Sequence, residues 1–327
     1  MKLWVLIIKH NIEPLKNQIE ETLLGLAIGD AMGVPVEFCS RETLQLDPVL
    51  GFRGYGTHTQ LPGTFSDDSS LCFCLVESLI EGFTLENLAQ KMVSWRYDHY
   101  WTANGYAFDC GNNISEALEK LRNHHSPKYS GNYTERSNSN GSLMRILPLV
   151  FYLEKKPLNH RYRMIKEISS LTHAHDRSIL SCFYLIEFAL ELMTTKESLD
   201  AFKKHSDGFH DKCQLLRVGE GELRYFHRLL DERFSKMDIS QISSTGYVID
   251  TLEAAIWCLL NNSNYSDTIL NAVNLGGDTD TIGCIAGGLA GLTYGLDENS
   301  QIWREQLKRN ADIKELSLRY SEMLSKG

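Results

Sequence analysis

The feature that most constrains this chain is a glycine repeat. Gly283, Gly287 and Gly291 recur every four residues, with Ala286, Gly288 and Ala290 between them. That spacing puts one glycine per turn on a single helical face. Each costs roughly 1 kcal/mol relative to alanine inside a helix, and the simplest compensation is a neighbouring helix whose backbone comes unusually close. The remaining patterns are helical too. Leu71, Leu75 and Leu79 step by four, Ile114, Ala117, Leu118 and Leu121 trace an amphipathic stripe, and Phe183 to Met193 is apolar on nearly every side. Glu253 to Leu260 and Ser266 to Val273 add two helices, and Trp303 to Leu324 reads as one or two charged, solvent-facing ones. Strict alternation is scarce, so the expected class is all-α. Residues 196 to 246 are polar and irregular and are expected to be peripheral.

With 33 basic and 42 acidic residues among 327, the net charge of −9 argues against nucleic acid as a partner. A hydrophobic content of 43% supplies a large core, and seven prolines with no low-complexity stretch favour one domain over two. The apolar run Leu3 to Ile8 ends at Lys9 and is too short for a secretion signal. The uncharged stretch from Thr281 to Leu296 falls short of the roughly 20 residues of a membrane span. The eight cysteines show neither a Cys-x-x-Cys pair nor zinc spacing, and several lie within apolar helical patterns. Buried thiols in a reducing cytoplasm, with no membrane partner, are the expectation.

The chemical signal lies in two acidic clusters: Ser66-Asp67-Asp68-Ser69, and Asp278-Thr279-Asp280-Thr281 after two glycines. Each directly precedes a helical run. One cap needs one oxygen acceptor, but each cluster supplies two carboxylates and at least one hydroxyl. Such excess anionic oxygen suits hard divalent cations. If the two helix starts meet, four carboxylates with the Ser66 and Thr281 hydroxyls can hold two ions roughly 3.5–4 Å apart, as metal-assisted hydrolases do. Asp278-Thr279-Asp280 also matches the Asp-x-Asp of aspartyl-phosphate phosphatases, but no buried strand precedes it. The calcium-loop spacing of an EF-hand is absent.

Taken in order, several blocks resemble the ADP-ribosylglycohydrolase family from about Glu21 to Leu296. They are Gly25 to Gly33 with Pro35 and Glu37, Ser66-Asp67-Asp68, Phe108 to Asn112, Asn140 to Arg145, Thr172-His173, and Gly276 to Thr281. The resemblance implies a single orthogonal multi-helix bundle over residues 21–327, behind an N-terminal extension of residues 1–20. It implies two magnesium or manganese ions on Ser66, Asp67, Asp68, Asp278, Asp280 and Thr281. It implies Asp109 and Glu37 as catalytic acids, and a pocket for ADP-ribose at Asn140, Gly141 and His173, with Ser137, Gly111 and Asn112 nearby. Ser66 and Ser69 replace the threonines of many members, and Ser139 stands where glycine is frequent.

The expected activity is hydrolysis of the glycosidic bond joining ADP-ribose to a protein side chain such as arginine, or to a small conjugate. A nearby carboxylate can stabilise the oxocarbenium-like state or activate water. The alternative is a protein that binds ADP-ribose, or an immunity protein that blocks an ADP-ribosylating toxin. Each assignment has a plainer rival. Glu37 can solvate a loop, Asp109 can cap the helix of Ile114, His173 can be a satisfied core histidine, and Arg145 can pair with a structural carboxylate.

Overall fold

The computed structural model describes the backbone of residues 2–195, 197–218 and 220–326, with side chains from Glu13 onward except at 220. The side chains of the apolar run Leu3 to Ile8 lie outside the described residues. Helices carry the architecture, and strand-like pairing among the described residues is limited to isolated bridges such as Ser139 with Tyr247. The expected all-α bundle is the observed fold.

At its centre the Lys2–Gly33 helix packs antiparallel on the Thr279–Tyr294 helix. The glycine stripe finds its partner in a second one, because Gly25 and Gly29 face Gly287 and Gly283 and Gly33 faces the Asp280 backbone. A Cβ on Gly29 would collide with the Gly283 carbonyl, and a Cβ on Gly283 would meet the Gly29 carbonyl at 2.5 Å. Backbones this close leave no side-chain layer between the helices. The contact therefore fixes their relative position, including the placement of Asp280 beside the end of the first helix. Tyr265 Oη locks the pair from the side by donating to the Gly25 carbonyl at 2.8 Å.

The Asp67–Ile80 helix docks on the same end. Asp30, fully buried near the end of the first helix, accepts from the Ser66 and Ser69 N–H groups and from Ser69 Oγ. One carboxylate thus meets free donors of a helix start. The Asp176–Thr195 helix contains the expected core run. It is long and apolar enough to cross a membrane, yet it is mostly buried within the bundle. The eight cysteines are free thiols, six of them buried.

Two expectations need correction. The C-terminal region does form two helices, Glu298–Gln306 and Asn310–Lys326, but the second is more than a solvated face. It buries Ile313, Leu316 and Tyr320, and Tyr320 Oη reaches the Pro148 carbonyl at 3.0 Å. Residues 196–246 are not wholly peripheral either: the segment ends in Ser244 to Gly246, which abuts the site.

Candidate active site

Both acidic clusters open helices, as their sequences suggested. Ser66 caps the first, its Oγ accepting from the Asp68 N–H at 3.2 Å, and Asp67 and Asp68 occupy the first turn, both buried. Asp278 stands at the N-cap of the second, with Asp280 and Thr281 following. Gly276 and Gly277 lead into it at φ of 73° each, a region that side chains rarely adopt. A Cβ on Gly277 would also strike the Ser244 carbonyl. This turn is stitched to two other segments. The Phe38 N–H donates to the Gly277 carbonyl at 2.7 Å, the Gly277 N–H to the Cys39 carbonyl at 2.9 Å, and the Asp278 N–H to the Ser244 carbonyl at 2.9 Å. The stitching carries Glu37 to the second acidic cluster.

The clusters meet. A cavity of about 420 Å³ is lined by Glu37, Asp67, Asp68, Asp109, Asp278 and Thr281, together with Gly111, Asn112, Asn140 and Gly141. Asp280 is fully buried beside it, with a carboxylate oxygen within 4.8 Å of ligand atoms of Glu37, His58 and Asp109. Asp109 sits at φ 56° and does not cap the helix of Ile114; Gly111 holds that place. Glu37 is likewise no solvated loop residue: it is buried against His58.

Three of the residues expected around the ligand sit off the cavity wall or are otherwise engaged. Ser137 is buried and spends its hydroxyl on Thr134. His173 is fully buried beneath Gly141, where a Cβ would come within 2.8 Å of its Cε1. It holds Ser139 Oγ at 2.8 Å, and burial lowers its pKa to about 3, so it is a neutral strut under the loop. Asn140 does line the cavity, but its amide donates to Asp278 Oδ2 at 2.9 Å and Thr251 Oγ1 at 3.0 Å, which braces the acid. Among the described residues Arg145 pairs with no carboxylate. Its guanidinium is buried against the Gly141 and Ile168 carbonyls and Thr172 Oγ1.

The electrostatics are those of uncompensated anions. Burial, reinforced by the neighbouring carboxylates, pushes Asp67, Asp68 and Asp280 well above the ordinary range. Burial also raises Asp278, with Asn140 and Thr281 pulling the other way. Asp68 Oδ1 and Asp280 Oδ2 are buried without a hydrogen-bond partner. Among the described residues no Lys or Arg forms an ion pair with any of these four acids. Orphaned carboxylate oxygens in an all-oxygen set are what a hard divalent cation satisfies, so the residues fit such ions.

Sequence reasoning missed two residues here. Asp30, raised to about 7 by burial, seats the first cluster. His58 hydrogen-bonds Glu37 Oε2 and lies 3.7 Å from Asp109 Oδ1, tying the two candidate catalytic acids together. Burial lowers the His58 pKa, but its acidic neighbours outweigh this and the net shift is upward. Glu37 itself is pushed up to about 7 by burial. His58 ends the single 3-10 turn Gly56–His58, too short to carry a periodic signal. Asp30 falls inside the Gly25 to Gly33 block, without a spacing that distinguishes it from a helix-surface acid.

An all-α bundle whose helix starts converge on a carboxylate-lined cleft has the donor set of a metal-assisted hydrolase, and the comparisons with known proteins define the class. The profile for ADP-ribosylglycohydrolase matches residues 12–326. An ADP-ribosylarginine hydrolase Tri1 of Serratia proteamaculans is 33% identical over 90% of this chain and 76% of its own. The ADP-ribosyl-[dinitrogen reductase] glycohydrolase of Rhodospirillum rubrum is 25% identical over 87% and 88%. A solved ADP-ribosylglycohydrolase-related protein complex superposes with a TM-score of 0.75 and 26% identity, over 94% of this chain and 98% of that one. The chain belongs to the ADP-ribosylglycohydrolase family.

Proposed function

We propose that this enzyme uses two divalent cations, magnesium or manganese, to hydrolyse the N-glycosidic bond between ADP-ribose and an arginine side chain of a target protein. The observation that carries the reading is the convergence of Asp67, Asp68, Asp278 and Asp280, buried and without cationic partners, on one cleft with Glu37 and Asp109. The similarity to an ADP-ribosylarginine hydrolase over most of the chain supports arginine as the linkage. The expected cytoplasmic location and the boundary at residue 20 belong to the same reading.

Ser66, Asp67, Asp68, Asp278, Asp280 and Thr281 would hold the ions. Bound there, they would supply positive charge to grip ribose hydroxyls and acidify a water. The protein's own part is orientation and proton handling. Asn140 fixes the rotamer of Asp278, and Asp30 fixes the start of the first acidic helix. Glu37, poised near neutrality and held by His58, can take a proton from an attacking water, while Asp109 faces the positive charge that develops on the sugar.

The test is incubation with a mono-ADP-ribosylated arginine substrate in Mg²⁺, Mn²⁺ or chelator. Release of ADP-ribose that chelator and Asp278→Ala both abolish is the expected result. Tight ADP-ribose binding without turnover would instead support sequestration.

A further inference from the structure

Phe38 is 71% exposed, yet its backbone is held at φ 63°. Burial of the ring explains neither fact. A bulky aromatic residue pays steric strain in the left-handed region, and a ring left in water returns no burial. The conformation is nonetheless enforced, since the Phe38 N–H is bonded to the Gly277 carbonyl and the residue follows Glu37 directly. Strain that persists because its surroundings over-determine it clusters at functional sites.

The position gives the ring a task. Phe38 lines the acidic cavity and also an adjoining groove walled by Ser40, Glu42, Ser243 and Thr245. It stands at the junction of groove and cleft. We propose that Phe38 recognises the leaving group, its ring stacking on the guanidinium of the modified arginine while Glu37 and Asp109 lie beyond. An aromatic face beside carboxylates is selective for a planar, delocalised cation. The chain makes the same contact within itself: the Arg177 guanidinium lies 3.5 Å from the Tyr225 ring centroid, and that of Arg309 lies 4.2 Å from Trp101.

This inference rests on the arginine linkage proposed above, so the experiment separates the two. Wild type, Phe38→Leu, Phe38→Gly and Phe38→Trp are compared for hydrolysis of ADP-ribosyl-arginine and for calorimetric binding of ADP-ribose, which lacks the guanidinium. Phe38→Gly relieves the backbone strain and guards against misfolding. In Leu and Gly variants KM is expected to rise about 5- to 20-fold, with kcat changing less than about twofold and ADP-ribose affinity unchanged. Trp restores the wild-type KM. Equal KM in all four, or ADP-ribose affinity falling in step with KM, overturns the proposal; in the second case the ring reads the nucleotide. A wild type that binds ADP-ribose but leaves ADP-ribosyl-arginine intact refutes the linkage, and the proposal falls with it.

Discussion

Asp30 Oδ2 accepts a 2.6 Å hydrogen bond from Ser69 Oγ, and the same carboxylate takes the Ser66 N–H at 2.9 Å. The acid that supports the first acidic turn therefore lies on a different helix from that turn. Asp30→Asn keeps the shape but turns an NH₂ toward donors that need an acceptor. Affinity for Mn²⁺ is expected to fall about 10- to 100-fold, as for other losses of support behind a ligand. Calorimetric titration checks this, and unchanged affinity would mean that Asp30 serves folding alone.

A glycine-to-alanine change has opposite outcomes inside and outside the paired stripes. Gly29→Ala places a methyl on the Gly283 carbonyl and should destabilise by roughly 1–3 kcal/mol, the range for overpacking a core. Gly208 lies inside the Ser198–Leu216 helix with open space where a Cβ would go, so Gly208→Ala should stabilise by about 1 kcal/mol. Chemical denaturation of both variants reads the contrast directly.

Stability of chelator-treated protein should fall as pH rises. Burial lets folded Asp30 and Glu37 keep their protons to about 7, while the unfolded chain releases them near the ordinary values of 3.8 and 4.5. Between roughly pH 4 and 7 the folded state binds more protons, so the unfolding free energy decreases with pH. The upward shifts of Asp67, Asp68 and Asp280 act with the same sign. Melting temperatures without metal are expected to be lower at pH 8 than at pH 5, and added Mg²⁺ or Mn²⁺ should narrow the gap.

Much of this was legible in the sequence, for identifiable reasons. Acidic doublets ahead of apolar four-residue repeats marked two helix starts, and the uncharged run around Gly287 advertised a close helix contact. The partner stripe of Gly25, Gly29 and Gly33 has the same period but lies among larger apolar residues and Asp30, so its meaning emerges only when the two helices are paired. His58 and Ser244 sit in irregular segments where no periodicity aims a side chain. His173 was assigned by resemblance to the ligand pocket, and only three-dimensional packing shows it beneath Gly141, pairing with Ser139. Arg145 satisfies backbone carbonyls, partners that a sequence does not display.

The number of Mn²⁺ ions bound per chain, measured by titration with electron paramagnetic resonance detection of the free ion, decides whether the converging acids form a two-ion site. Two ions for the wild type, and loss of binding when Asp67→Asn and Asp280→Asn are combined, are expected. Wild-type protein that binds no Mn²⁺ and competes for none with Mg²⁺, or a double variant that still binds two, would contradict such a site.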